Sequence, residues 1–392
     1  MITEKIYEID GMCRAFRARV LSVEKRDERY AVLLDRTAFF PEGGGQSSDT
    51  GTIGNARVID VQTCNGEILH FTDCAPSETD VLCELDFRER FRKMQNHLGE
   101  HLLCGAIHKL YGYDNVGFHL GADYMTFDID GVMSADEIRA AEHAANEAVA
   151  ADAPVRTYIP SQEELSRLSY RAKSEKLEAA EAIRIVEVEG YDRCACCAPH
   201  LDRAGKVGLI KIVDAMHYKG GMRFSALCGF DALADYNRKQ EDLKSLSALL
   251  SAKPYEIPAA VRAKLDELSE AKAAIGALRR ELISLKLAAI TPSTAHICLF
   301  EPMLDANGAR ELATGGAAKT SGVCAVFSGA DGTGYRFTAV SEHVPLREVA
   351  IAIREALGGK CGGSDKMVTG FVEADEAKIR EFWAKTAIST IG

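Results

Sequence analysis

Two short clusters of metal-binding side chains, far apart in the chain, constrain this fold most: His97 and His101 within NHLGEHLL, and Cys196 and His200 within CACCAPH. Histidines four residues apart on a helix share one face about 6 Å apart along the axis, so both rings can address a single ion. The residues from Phe87 to Leu110 support such a helix. Asp86 can cap its start, Phe91, Met94, Leu98 and Leu102 recur at three- and four-residue spacing, and Gly112 can end it. The second cluster lies in a turn rich in Cys, Ala and Pro between two strand-like runs, IRIVEVE and VGLIKIV. Together the clusters complete a His, His, Cys, His set, which suits tetrahedral zinc. Cys194 and Cys197 compete with Cys196 for the thiolate position, and spacing does not choose among them. Cys104 and His108 lie on the same helical face, but His108 is about 10 Å further along the axis, too far to share the ion.

At 392 residues the chain exceeds one ordinary core, so two or three domains are expected. Neither a basic segment leading into an apolar run nor a stretch of about 18 apolar residues occurs, so the expected setting is cytoplasmic, with no membrane span. Twelve cysteines in such a chain point to reduced thiols and metal ligation rather than a disulfide framework. A net charge of −11 argues against broad nonspecific binding to nucleic acid. It leaves local basic patches, RERFRK before the first His pair and KIVDAMHYKGGMRF after the second.

The first ninety or so residues alternate in the strand manner (ARVLSVEKRD, RYAVLLDRTAFF, TGTIGNARVIDVQT, ILHFTD, DVLCELDF) and predict a small antiparallel barrel or sheet. Inside it, RTAFFPEGGGQSSDTG places Gly43, Gly44 and Gly45 after a Pro-Glu turn. Three glycines give backbone freedom that a strand cannot use, and Gln46 and Asp49 add amide and carboxylate groups as a polar substrate requires. From Asp152 to Ala182 the charge spacing predicts a polar helix. After Phe230, Leu243, Leu246 and Leu250 precede KPYEIP, whose prolines break the helix. Val261, Leu265, Leu268, Ala271, Ile275, Leu278, Leu282 and Leu285 then recur as an antiparallel hairpin or coiled coil needs. The last hundred residues mix strands and helices into a compact α/β domain. Its loop GGKCGGSDKMVTGFV carries Lys360 and Lys366 and can cradle phosphate through backbone N–H groups or make a tight turn; it is not a Walker A loop.

In order and separation, TAFFPEGGGQSSDTG, NHLGEHLL and CACCAPH followed by GLIKIVDAMHYKGGMRF resemble the editing portion of alanyl-tRNA synthetases and their freestanding relatives, the AlaX-type editing proteins. The resemblance covers roughly residues 15 to 235. It implies zinc held by His97, His101, Cys196 and His200, which selects Cys196 among the cysteines. It also implies an editing pocket at Thr37 and Gln46. To these the residues themselves add Gly43, Gly44, Gly45 and Asp49 as substrate contacts, and Gln46, Thr37 and Glu100 as polar partners of the reaction. Lys219 and Arg223 upstream, with Lys360 and Lys366 downstream, are the candidate tRNA contacts. The chain departs from the family pattern at Glu100, where the synthetases commonly have Thr, and at Ala198 and Pro199, which replace Gly and Thr. The C-terminal region resembles a domain shared with DHH-type phosphoesterases that helps bind tRNA or pair subunits. A homodimer through that domain or the helical arm follows from it.

The expected architecture is therefore α+β: a barrel-like domain over residues 1–88, a zinc-containing editing core over 89–235, a coiled-coil arm over 236–288 and a C-terminal α/β domain over 289–392. The implied function is hydrolysis, in trans, of tRNA(Ala) charged with serine or glycine. An alanine pocket cannot exclude glycine by size or strongly reject serine, so a second hydrolytic site must clear the errors. No adenylate-forming domain precedes the barrel, so aminoacylation itself is not expected. Two other classes remain: a zinc-containing tRNA-binding protein without catalysis, and a metallopeptidase of the His-x-x-Glu-His type built on HLGEH, drawing a further ligand from EKLEAAEA at 175–182.

Overall fold

The computed structural model describes residues 3–172, 183–293 and 295–389. The chain divides into two compact units, Met1–Ser245 and Leu246–Gly392. The first opens with a closed six-stranded barrel made by Ala15–Arg26, Arg29–Leu34, Gly51–Ile53, Ala56–Cys64, Glu67–Thr72 and Asp80–Leu85. Around the barrel these strands follow the order first, second, fifth, fourth, third, sixth. Alternation along each strand fills the interior, as Val81, Cys83 and Leu85 do between exposed neighbours. The run TGTIGNARVIDVQT is two strands, because Gly54 (φ +57°) and Asn55 form a two-residue hairpin turn. The barrel core of Leu34, Phe39, Ile53 and Val61 is continuous with Cys196 and Ala198, which seats the downstream cysteine loop against the barrel.

Next comes the helix Phe87–Tyr111, capped by the Asp86 carboxylate and ended by Gly112 at φ +75°, as the sequence predicts. It is buried on more than one face. Met94, Leu98, Leu102 and Ile107 pack on Phe127, Phe224 and the helix Ala135–Ala150. Arg90, Lys93, His97, Glu100 and His101 are buried as well, so each polar head needs a protein partner or a ligand. A four-stranded antiparallel sheet lies behind the helix, ordered Ile210–Tyr218, Gly221–Cys228, Met125–Ile129, Asn115–Leu120. Phe127 and Phe224, directly paired across two of its strands, stack with ring centroids 4.9 Å apart.

The polar helix expected from Asp152 to Ala182 is not what forms. Val155–Tyr158 is a strand paired with Ile185–Val188, Gln162–Arg167 is a short helix with a Ser161/Glu164 capping box, and Arg171–Ala172 pairs beside Asp192–Ala195. Pairing with a distant strand overrides the local charge spacing. The rest of that stretch, residues 173–182 with the acids of EKLEAAEA, lies outside the described residues.

In the second unit a helix, Ile257–Ala289, precedes a five-stranded sheet ordered Ile297–Phe300, Cys324–Ala330, Gly334–Val340, Met367–Val372, Lys360–Gly363. Three helices, Ala306–Ala317, Leu346–Leu357 and Glu376–Ser389, complete it. The long helix anchors through Ile283 on Leu312 and Ala313, while Leu265, Leu268, Ile275, Leu278 and Leu285 of its apolar stripe are exposed. The glycine-rich segment expected as a loop is instead an edge strand, Lys360–Gly363, hydrogen-bonded to Met367–Val372. Its glycines serve close approach: Gly359 has φ +94°, and a Cβ there would sit 2.1 Å from the Phe371 carbonyl oxygen. No helix among the described residues is long and apolar enough to cross a membrane.

Candidate metal centre

His97, His101, Cys196 and His200 converge as the two sequence clusters require, with their ligand atoms all within 4.8 Å of one another and all four residues buried. Cys196 Sγ lies 3.3 Å from His200 Nε2 and 3.6 Å from His97 Nε2. Nitrogen-to-sulfur edges of tetrahedral zinc are about 3.6 Å, which these two separations approach, and a donor set of three His and one Cys suits that ion. The helix supplies one pair from a single face. The other pair comes from the loop that leaves the strand Asp192–Ala195, and Arg184 holds that loop by donating to the carbonyls of Cys196 (3.0 Å) and Ala198 (2.8 Å).

Each helical histidine turns its other nitrogen to an acceptor. His97 Nδ1 lies 2.9 Å from Gln46 Oε1, and His101 Nδ1 lies 3.1 Å from Asp192 Oδ2. Such contacts fix the tautomer, leaving Nε2 of each ring as the donor to metal. Arg171 completes the second pair by donating to Asp192 from Nε (2.8 Å) and Nη2 (2.9 Å). Burial alone would raise the Asp192 carboxyl, but Arg171 and the His101 contact hold it below the usual carboxylate range. Gly105 makes the room, since a Cβ there would come 2.8 Å from that of Asp192.

The glycine loop is bound along the same helix. Gly44 (φ +60°) and Gly45 (φ +81°) form a two-residue turn closed by reciprocal 3.0 Å bonds between Gly43 and Gln46. Gly45 tolerates no side chain, because a Cβ would lie 2.4 Å from the Phe118 carbonyl oxygen. Beyond the turn the loop runs antiparallel to the helix: Gln46 meets His97, Lys93 donates to the carbonyl of Ser48 at 2.7 Å, and Arg90 grips the Asp49 carboxylate. Phe118 stacks on His97 with centroids 4.7 Å apart.

The other expected site residues differ in burial and in the partners they meet. Asp49, expected against substrate, is 2% exposed, with its oxygens taken by Arg90 and the Phe40 N–H (2.6 Å). Thr37, expected to face the amino-acid pocket, is fully buried, with its hydroxyl on His70 Nε2 (2.8 Å) and the Phe39 N–H (3.1 Å). Glu100 is buried and accepts from the Asn115 amide; it is not among the four grouped ligand residues. Gly44 and Gly45 are exposed and Gly43 is half-buried, beside buried Gln46. Of the RERFRK patch, Arg90 and Lys93 are interior, so half of that positive charge serves the loop rather than a nucleic acid. Arg223 is bonded twice to Asp128, at 2.7 Å each, and lies over the Tyr218 ring, whereas Lys219 is exposed at the hairpin tip. Lys360 and Lys366 are exposed in the second unit. Asp192, Arg171, Arg184 and His70 escaped the sequence reading, and only RCACC beside Asp192 hinted at any of them.

A family profile described as class II (A) tRNA synthetases matches residues 8–85, and one described as the threonyl and alanyl tRNA synthetase second additional domain matches residues 183–226. An alanyl-tRNA editing protein, AlaX-L, of Pyrococcus horikoshii is 30% identical over 395 residues, covering 96% of each chain. Alanine–tRNA ligases of Methanopyrus kandleri (33% identical, 73% of this chain) and Pyrobaculum neutrophilum (29%, 97% of this chain) are also similar. This chain spans 33% and 44% of the lengths of those two ligases.

Proposed function

The chain belongs to the family of freestanding alanyl-tRNA editing proteins, and from that membership we propose that it hydrolyses, in trans, the ester of tRNA(Ala) charged with the wrong amino acid. One observation carries the reading: four ligands from two distant segments close on one point, and the glycine-loop Gln46 contacts one of them directly. Zinc held by His97, His101, Cys196 and His200 would supply positive charge and rigidity where helix, loop and cysteine turn meet. That pattern also disfavours the peptidase alternative. The positions such an enzyme would give to a downstream acid are taken by Cys196 and His200, and the Glu100 carboxylate is bonded to Asn115.

Hydrolysis of this ester requires a positioned water and stabilisation of the oxyanion formed when water adds to the carbonyl. The ribose oxygen then leaves and takes up a proton. The Gly43–Gly45 turn, exposed at Gly44 and Gly45, is where the aminoacylated end would approach, and exposed Lys219 would meet phosphate. Seryl-tRNA(Ala) is the proposed preferred substrate and glycyl-tRNA(Ala) the second, since these are the errors an alanine site makes. The setting is the cytoplasm, where tRNA is charged. The unit Leu246–Gly392 is proposed to dock tRNA through Lys360 and Lys366 or to pair subunits, its long helix serving as the arm.

The test is deacylation of Ser-, Gly- and Ala-tRNA(Ala) by the zinc-loaded protein. Hydrolysis of the first, with Ala-tRNA(Ala) spared, is expected. Tight tRNA binding with none of the three esters cleaved would convert the protein into a noncatalytic tRNA binder.

A further inference from the structure

Within the unit Met1–Ser245, a groove of about 780 Å³ opens where the helices Phe87–Tyr111 and Gly229–Leu250 begin. Half-buried Phe87 and Phe91 wall one side, and Phe230 and Leu233, 66% and 51% exposed, wall the other. Apolar faces gathered in a concave surface and left to water mark a binding site. The groove is distinct from the metal centre. Phe87, Arg88, Phe91 and Arg92 stand about a quarter turn or more round their helix from His97 and His101.

The groove is held in shape by bonds that occupy its acids. Arg92 donates to Glu89 at 2.7 Å and, across the groove, to Asp231 at 3.0 Å; Asn96 also donates to Asp231, at 2.8 Å, and Asp86 caps its own helix. Two cations stay outside this network. Arg88 is exposed and makes no ion pair among the described residues, and exposed Arg14 lays its guanidinium 4.2 Å above the Phe87 ring. Ring faces are thus interleaved with uncommitted guanidinium groups. That combination fits unpaired nucleotides, because every base offers a π face to a ring or a guanidinium and every phosphate takes a cation. An apolar peptide would leave Arg14 and Arg88 unmatched.

Two stretches of chain connect the groove with the metal centre. The glycine loop meets His97 at Gln46 and runs on to Thr50, whose carbonyl accepts from the N–H of Asp86 in the groove wall at 2.8 Å. Gly11 packs on the ligand His200, where a Cβ would come 2.5 Å from the carbonyl oxygen, and Arg14 follows three residues later. Along the helix axis Phe91 and Phe87 lie about 9 and 15 Å from His97, a longer step than one nucleotide spans. We infer that this groove holds the unpaired nucleotides preceding the aminoacylated 3′ end of the tRNA, their bases stacked on Phe87, Phe91 and Phe230 and their phosphates on Arg14 and Arg88. The inference rests on the deacylase reading above for the identity of the RNA. Contacts to nucleotides that do not react then help to position the ester that does.

The experiment measures equilibrium binding of the zinc-loaded full chain to uncharged tRNA(Ala), intact or with its unpaired 3′ nucleotides trimmed away, and so is independent of hydrolysis. Wild type should bind the intact RNA about tenfold or more tightly than the trimmed one. Phe230→Ala should cut that ratio about fivefold or more and leave binding of trimmed RNA unchanged, whereas Phe230→Trp, which keeps a ring face, should preserve it. Arg88→Ala should lower the slope of log affinity against log salt by about 0.7 with intact RNA alone, the loss of one phosphate contact on a single strand. A ratio near one in wild type, or a wild-type ratio in Phe230→Ala, would overturn the inference. If Phe230→Ala does not fold, as loss of zinc would show, the Arg88→Ala slope decides in its place, and an unchanged slope overturns the groove. Binding as expected with none of the three esters cleaved would refute the deacylase reading and leave the groove standing.

Discussion

Replacing Asp192 by Asn tests the pair that supports His101. The change preserves shape and removes one charge from a carboxylate that is 2% exposed and contacted by His101 Nδ1 and two nitrogens of Arg171. An Asn carbonyl can satisfy one of those donors, but its NH2 then faces another. Arg171, whose side chain is 9% exposed, becomes a buried cation without its counterion. Breaking a buried ion pair from one side costs about 3–5 kcal/mol. Losing the acceptor behind a metal-bound histidine weakens metal affinity about 10–100-fold, or ~1.4–2.7 kcal/mol. Chelator competition should show that loss, and urea unfolding of the metal-free protein should show the stability loss independently. Adding Arg171→Met to Asp192→Asn removes the stranded cation and frees the Asn carbonyl for His101, so stability and zinc affinity should both recover in part. Zinc affinity within twofold of wild type in Asp192→Asn would refute the argument.

Elemental analysis should find about one zinc per chain, lost in Cys196→Ala and in His101→Ala. Full occupancy in both would refute the ligand set, and loss only on changing Cys194 or Cys197 would move the thiolate. Thr37→Val leaves His70 Nε2 and the Phe39 N–H unpaired in the barrel, so urea unfolding should register a loss of about 1–3 kcal/mol with an unchanged serine-to-alanine ratio of kcat/KM. A tenfold fall in that ratio would instead place the hydroxyl in the pocket. Burial pushes the fully enclosed His70 down to about 4. Because the folded value is depressed, the stability that neutral His70 contributes is complete above pH about 6.5 and fades as pH falls toward 4, by about 3 kcal/mol. Metal-free His70→Phe should lack that part of the acid loss, and parallel pH profiles for the two proteins would exclude it. A chain ending at Ser245 should retain zinc but show a higher KM for tRNA or a smaller mass by light scattering; equality in both would remove that role from the second unit.

What the sequence alone determined lies where chemistry is local. The four-residue spacing of His97 and His101, the Asp86 cap and the Gly112 stop follow from helix geometry, and the barrel strands follow from a two-residue alternation. The glycine run announced a turn because Gly44 and Gly45 adopt backbone angles that other residues avoid. Tertiary structure decided whatever depends on a partner far along the chain. Asp192 is one of 58 acidic residues, and nothing in its neighbours says that it will meet His101 and Arg171. Closure of the barrel brings His70 against the Thr37 hydroxyl, a partner that the segment around Thr37 does not announce, and Arg90 and Lys93 read as a basic surface until the glycine loop packs on them. Residues 155–158 fall in a stretch expected to be a polar helix yet pair as a strand with 185–188. Periodicity reports which face of an element is buried, whereas a buried polar group takes its role from the one partner that satisfies it, and only the folded chain supplies that partner.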